Sequence, residues 1–173
     1  EKQLPIELWL KFFGFWLAEG WVSKGKKGDY NVCVSNTQKA LLDEMRILLE
    51  TFGYDVYQGH NIVRVRDFQL FNYLKKFGKA ADKHMPLEIK SLSKDLLEIL
   101  FDYYIKGDGH RYGRNNKGLS ATTISKQLRD DLQEIALKIG MSAYYKLHQK
   151  KGTPFSSPSQ GKIYLQSEDS WNI

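Results

Sequence analysis

Apolar and polar positions along this chain switch between a helical and a strand period, and the whole sequence of switches occurs twice. From Pro5, a residue suited to the first turn of a helix, Leu8, Trp9, Phe12, Phe13, Phe15, Trp16 and Leu17 are apolar on more than one side. A helix apolar nearly all round belongs in a core or an interface. Gly14 and Ala18 share one of its faces, which predicts close approach of another backbone. After Gly20 the period changes to two. Trp21 to Ser23 lead into a basic turn, Lys24-Gly25-Lys26-Lys27-Gly28, and then Tyr30, Val32 and Val34 alternate with Asn31, Cys33 and Ser35. A helix over 38–52 follows, with Leu41, Leu42, Met45, Leu48, Leu49 and Phe52 as its buried stripe and Gly53 as its stop. Strands over 54–57 and 62–66 read as a hairpin turning at Gly59. Asp67 caps a helix through Phe68, Leu70, Phe71, Leu74 and Phe77, ending at Gly78.

A polar connector over 79–93 leads to a second long helix, 94–108, with Ser93 as its cap, and the order repeats. A strand over 110–112, a glycine-rich basic turn over 113–118 and a strand over 119–123 precede a helix over 125–139. That helix turns Leu128, Leu132, Ile135, Ala136 and Ile139 inward and stops at Gly140. Strands are predicted over 143–148 and 162–166. A long loop, 152–161, takes the place of the short turn near Gly59. Asp169 and the residues after it align with Asp67-Phe68, so a final helix is expected to start there and to be cut off. The prediction is an α+β chain of two pseudo-symmetric repeats, 1–82 and 94–173, about a connector at 83–93.

Each long helix ends in an acid followed by glycine: Glu19-Gly20 and Asp108-Gly109. Glycine there predicts a left-handed cap, which puts both acids on last turns, where the helix dipole is negative and unpaired carbonyls gather. A carboxylate in that place costs up to about 1 kcal/mol. One such acid is unremarkable on a solvated helix end. Two in equivalent places point to a bound divalent cation, which reverses the sign of the cost.

Composition narrows the setting. With 26 Lys and Arg against 20 Asp and Glu, the net charge is +6 and the pI about 9.2, which favours a polyanionic partner. Cys33 is the only cysteine, so no internal disulfide forms, consistent with a reducing compartment. No apolar run is long enough to span a bilayer. The expected setting is the cytoplasm of a bacterial, archaeal or phage-infected cell, with an organellar origin also open.

At these residues the chain resembles the LAGLIDADG homing endonucleases in their single-chain, two-motif form. The first copy keeps Gly14, Ala18, Glu19 and Gly20 of the motif, and the second keeps Asp108 and Gly109 with Gly107 for the small alanine. Leu17 and Lys106 depart from it, as do Tyr103, opposite Gly14 in the alignment, and Asp102. Lys83-His84-Met85-Pro86 resembles the lysine-x-x-proline block of endonuclease domains carried by inteins.

The resemblance implies two αββαββα halves joined along the motif helices, their strands forming a saddle over double-stranded DNA. It implies a monomer that cuts one long asymmetric site. Glu19 and Asp108 would hold Mg²⁺, or Mn²⁺ in its place, with help from the helix-end carbonyls of Ala18 and Gly107. Lys83 and Lys162 would assist catalysis. Strand alternation then places Asn31, Cys33, Ser35, Arg64, Arg66, Ser120, Thr122, Lys162, Tyr164 and Gln166 toward DNA, with Ile163 and Leu165 inward, and Ser23, His110, Arg111, Lys146 and His148 are expected to join them as DNA contacts. The basic turns, with Lys24, Lys26, Lys27, Arg114, Asn115, Asn116 and Lys117, would grip phosphates. A non-cleaving DNA-binding regulator or an RNA-splicing maturase on the same scaffold remains the alternative. The lysine-proline block favours an intein as the parent, with fusion to its splicing domains, and a free intron-encoded enzyme is the alternative.

Overall fold

The computed structural model describes residues 2–25, 28–112, 118–156 and 163–173. Two helices form its axis, α1 (Ile6–Glu19) and α5 (Lys94–Asp108), packed side by side. Around α1 are β1 (Gly20–Lys24), β2 (Tyr30–Ser35), α2 (Lys39–Thr51), β3 (Val56–Gln58), β4 (Ile62–Arg66) and α3 (Phe68–Lys75). Around α5 are β5 (Gly109–Tyr112), β6 (Gly118–Thr123), α6 (Lys126–Lys138), β7 (Lys146–Gln149), β8 (Pro154–Ser156), β9 (Ile163–Leu165) and β10 (Ser170–Asn172). Each half carries a four-stranded antiparallel sheet, ordered β1-β2-β4-β3 in one and β5-β6-β10-β7 in the other. The α+β architecture of two repeated halves is the expected one.

The apolar surround of α1 has the reason its sequence suggests. Leu10, Phe12, Phe13, Phe15 and Trp16 are all fully buried, each aromatic side chain contributing about 2 kcal/mol through lost hydration. Phe13 stacks between Trp9 and Trp16, with ring centroids 5.6 and 6.2 Å away. Against α5 the backbones nearly touch: a methyl added at Gly14 would lie 2.3 Å from the Leu100 carbonyl oxygen. Tyr103 does not wedge the helices apart. Its ring leaves the seam, and its hydroxyl donates to Glu44 of α2, tying one half to the other.

The helix-to-strand junctions differ from expectation. Gly53, Gly78 and Gly140 adopt the left-handed conformation, but Gly20 and Gly109 are extended, with φ of −102° and −98°. Each helix runs straight into its strand. Glycine is needed for room instead, since a Cβ at Gly20 would sit 2.1 Å from the Trp16 ring and one at Gly109 2.6 Å from the Ile105 carbonyl oxygen. Asp67 caps α3 by accepting from the Leu70 amide at 2.7 Å, whereas Ser93 makes no side-chain cap bond.

The connector is more structured than its polarity suggests. It forms a 3₁₀ turn, Ala80–Asp82, and a short helix α4 (Leu87–Lys90). Met85 and Ile89 are buried, and the Met85 amide donates to the buried Asp131 carboxylate at 2.8 Å. Lys90 bridges Asp131 and Glu134 of α6, both at 2.9 Å.

The second sheet departs most from the reading of the sequence. Its strand beside β6 is β10, not 162–166, and Ser170–Asn172 is strand where the start of a helix was expected. Trp171 decides this register by packing edge-on to Tyr145 at 5.7 Å and under the Arg129 guanidinium at 4.5 Å. Tyr164 and Gln166 belong to a separate two-stranded ribbon of β8 and β9, where Leu165, expected inward, is 66% exposed. The strand expected over 143–148 starts later, as β7, and runs on to Gln149.

Candidate active site

Glu19 and Asp108 are the final residues of α1 and α5. The contact that joins them is Gly107, where an added Cβ would lie 2.6 Å from the Ala18 Cβ and 3.0 Å from the Glu19 Cγ. Only glycine lets Glu19 lie against the backbone that carries Asp108. Burial raises the Glu19 carboxyl, while a hydrogen bond from Asn36 (2.9 Å) and the charge of Lys83 pull it back. Asp108 opens to solvent on one side, yet the protein packed around its other sides pushes its carboxyl up to about 7. Lost hydration contributes most to that rise and the Glu19 charge next, with Lys83 opposing. The two acids therefore share one site.

Lys83, from the connector, is 6% exposed beneath them. Its ammonium donates to the carbonyls of Trp16 (3.0 Å), Leu17 (2.8 Å) and Gly20 (2.8 Å), passing over that of Ala18. Burial pushes the amine down to about 8, while Asp108 and then Glu19 hold its proton on.

The open strand faces flank the acids. Register sets Trp21, Cys33, Arg64 and Tyr57 in one row across the first sheet, and Ser23, Asn31 and Arg66 in the next. The Arg64 guanidinium lies 4.6 Å from the centroid of the Tyr57 ring. Cys33 is buried in that row, which raises its thiol pKa despite the nearby Arg64. Asn31 Oδ1 and Arg64 Nε are buried without a hydrogen-bond partner among the described residues. In the second sheet His110 faces Ser120, and Thr122, Asn172 and Lys146 form a row, with Thr122 donating to Asn172 at 2.8 Å. Ser35 and His148 continue these faces by strand alternation.

Residues 10–67 and 95–167 match the LAGLIDADG-like domain family. The chain belongs to that family. Among solved structures it is similar to mesophilic variants of the homing endonuclease I-DmoI, with a TM-score of 0.64 at 14% identity over 97% of this chain and 88% of that one. It is also similar to the homing endonuclease I-WcaI bound to its DNA recognition sequence, with a TM-score of 0.56 at 14% identity over 100% and 77%. At such identities the likeness is one of fold. Among curated proteins, the C-terminal section of an RNA polymerase β subunit from Stigeoclonium helveticum is 27% identical, covering all of this chain and 19% of that protein. A DNA polymerase II large subunit from Thermococcus kodakarensis is also 27% identical, over 84% of this chain and 8% of its own length. The chain thus spans less than a fifth of either relative.

In this LAGLIDADG-like chain several sequence-predicted residues stand elsewhere than expected. Arg111 lies on the helix side of its strand, 3.8 Å from Asp102 of α5. Lys24 also turns away from the open face, its ammonium 5.4 Å from the Tyr30 ring. Tyr164 and Gln166 are on the ribbon. Lys26, Lys27, Arg114, Asn115, Asn116, Lys117 and Lys162 lie outside the described residues. Asn36, Trp21 and Tyr57 were not singled out by sequence. Asn36 carries only a local turn signal, its oxygen accepting from the Gln38 amide at 2.8 Å. Its contact with Glu19 depends on the tertiary fold.

Two carboxylates carried on helix ends, where carbonyls lack intrahelical partners, are donor chemistry that suits a hard divalent cation. Among the described residues no three His, Cys, Asp or Glu side chains converge into a metal cluster. A cation here would depend on backbone, water or substrate oxygens for its remaining ligands.

Proposed function

We propose that this chain is a divalent-metal-dependent, site-specific DNA endonuclease, cutting both strands at one long asymmetric target as a monomer. The observation that carries the reading is the meeting of Glu19 and Asp108 at the ends of two crossing helices, between two open strand faces. Supporting it, the similar I-DmoI has been crystallised with DNA and Ca, with DNA and Mn, and, as a variant, with target DNA and Mg. Glu19, Asp108 and the carbonyls of Ala18 and Gly107 would hold Mg²⁺ or Mn²⁺. The ion would neutralise charge developing on the scissile phosphate and lower the pKa of attacking water.

The chain's own residues account for the rest. Asn36 fixes the direction of the Glu19 carboxylate, and the strand faces orient the duplex. Arg64 and Asn31 stand on the same face of the first sheet, and side chains of both types can pair with base edges in the major groove. Matches within an RNA polymerase subunit and a DNA polymerase support a domain carried as an insert in unlike hosts, as an intein endonuclease is.

Glu19→Gln and Asp108→Asn, assayed on a target selected from a randomised duplex library, are expected to abolish double-strand cleavage while retaining binding. Retained double-strand cutting by either variant overturns the assignment of the acids. Binding without cleavage by the unaltered protein in Mg²⁺ and Mn²⁺ would favour the regulator reading.

A further inference from the structure

We propose that Lys83 is a positioning residue that links the two halves and sets Glu19 against Asp108. The proposal deepens the endonuclease reading and rests on it for its catalytic consequence. An ammonium group has three N–H donors and no acceptor, and here all three are directed at carbonyls at the end of α1. None is left for a phosphate or a water. The bonded carbonyls, those of Leu17 and Gly20 among them, bracket Glu19 along the chain. The α1 helix has no basic residue in its last turn, so Lys83 supplies from a distant segment the cation that a helix C-terminus favours.

The other end of Lys83 is anchored in the second half. Its carbonyl accepts from the Ser125 hydroxyl at 2.6 Å. Ser125 is fully buried and caps α6, receiving the Leu128 amide at 3.1 Å. Two residues on, the Met85 amide bonds Asp131 of the same helix. The load path therefore runs from α6 through Ser125 to the Lys83 backbone, along its side chain, and into the turn that bears Glu19. α5 carries a basic residue in its own last turn, Lys106, whose ammonium lies 3.2 Å from Asp102. The two acids are thus held by unlike means.

The test uses Lys83→Met and Ser125→Ala in the full chain. Hydrogen–deuterium exchange is read on a peptide covering 15–22, alongside DNA affinity and kcat on the library-selected duplex. Both variants are expected to exchange about tenfold faster at the end of α1, with α2 unchanged. Cleavage should slow about 10- to 100-fold at unchanged DNA affinity, the range typical of residues that orient metal-binding groups. Lost cleavage in Lys83→Met with unaltered exchange would assign the amine a direct chemical role and overturn the proposal. Wild-type behaviour of Ser125→Ala in both readouts would overturn it as well. Should Lys83→Met fail to fold, Ser125→Ala, which keeps the amine, carries the test. Exchange does not depend on cleavage, so an inactive wild-type protein would sink the endonuclease reading and leave the strut to be judged by exchange alone.

Discussion

Asn36 divides one amide between two tasks, its oxygen on the Gln38 amide and its nitrogen on Glu19. Replacing it with alanine should therefore leave the fold nearly intact and release the carboxylate. Asn36→Ala is expected to lower kcat about tenfold with unchanged DNA affinity, in single-turnover cleavage and a binding titration. Asp108 supports a prediction with a definite sign. Its carboxyl titrates at about 7 in the fold against 3.8 for the free group, so between those values the folded chain holds a proton that the unfolded chain has lost. Stability of the metal-free protein must then fall as pH rises across that window. Asp108→Asn should raise Tm at about pH 8 and leave it nearly unchanged near pH 4, in paired thermal melts. At this scale the sequence discloses the acids, because their place at a helix end conflicts with the dipole. It does not disclose Asn36, Trp21 or Tyr57, whose neighbours come from strands and helices far along the chain.

Between elements, the seam of α1 and α5 governs. Gly14→Ala should cost about 1–3 kcal/mol by overpacking, because the carbonyl it meets is backbone and cannot swing aside. Tyr103→Phe removes the hydrogen bond to Glu44 and should cost about 1 kcal/mol. Both are measured by urea denaturation, and a neutral Gly14→Ala would contradict the helix contact. Long elements with sustained periods, α1, α2, α5 and α6, were legible from their apolar stripes. In the second sheet β5 and β6 were legible too, but its far half was not, because β10 is three residues long and offers no period to read. Its place is set by Trp171 finding Tyr145 and Arg129, a tertiary preference that outweighs the local likeness of Asp169 to Asp67. The junction glycines are ambiguous for a related reason: a glycine required for room and one required for a left-handed turn look alike in sequence.

For the molecule as a whole, the net charge of +6 and the open strand faces predict an affinity for duplex DNA that falls steeply with salt. Arg64→Ala should weaken binding to the selected target by about 1–3 kcal/mol and narrow its preference over random duplex, while Lys24→Ala, on the far side of the strand, should leave that preference unchanged. Fluorescence titrations at two salt concentrations check both. The doubled order of helix, two strands, helix and two strands made the pseudo-twofold plan legible. What broke the symmetry, the connector tied into α6 and the extra ribbon of β8 and β9, lies in polar segments that a hydropathy pattern passes over.

The extended backbone at Gly20 has a consequence for fidelity. No loop separates the helix that carries Glu19 from the strand that begins at Gly20, so the acid and the proposed DNA-reading surface would move as one stiff lever. On the proposed function, a duplex that seats poorly on β1 would tilt the lever and carry the carboxylate away from its counterpart. Discrimination between right and wrong DNA would then be exercised in the chemical step, even where binding is nearly equal.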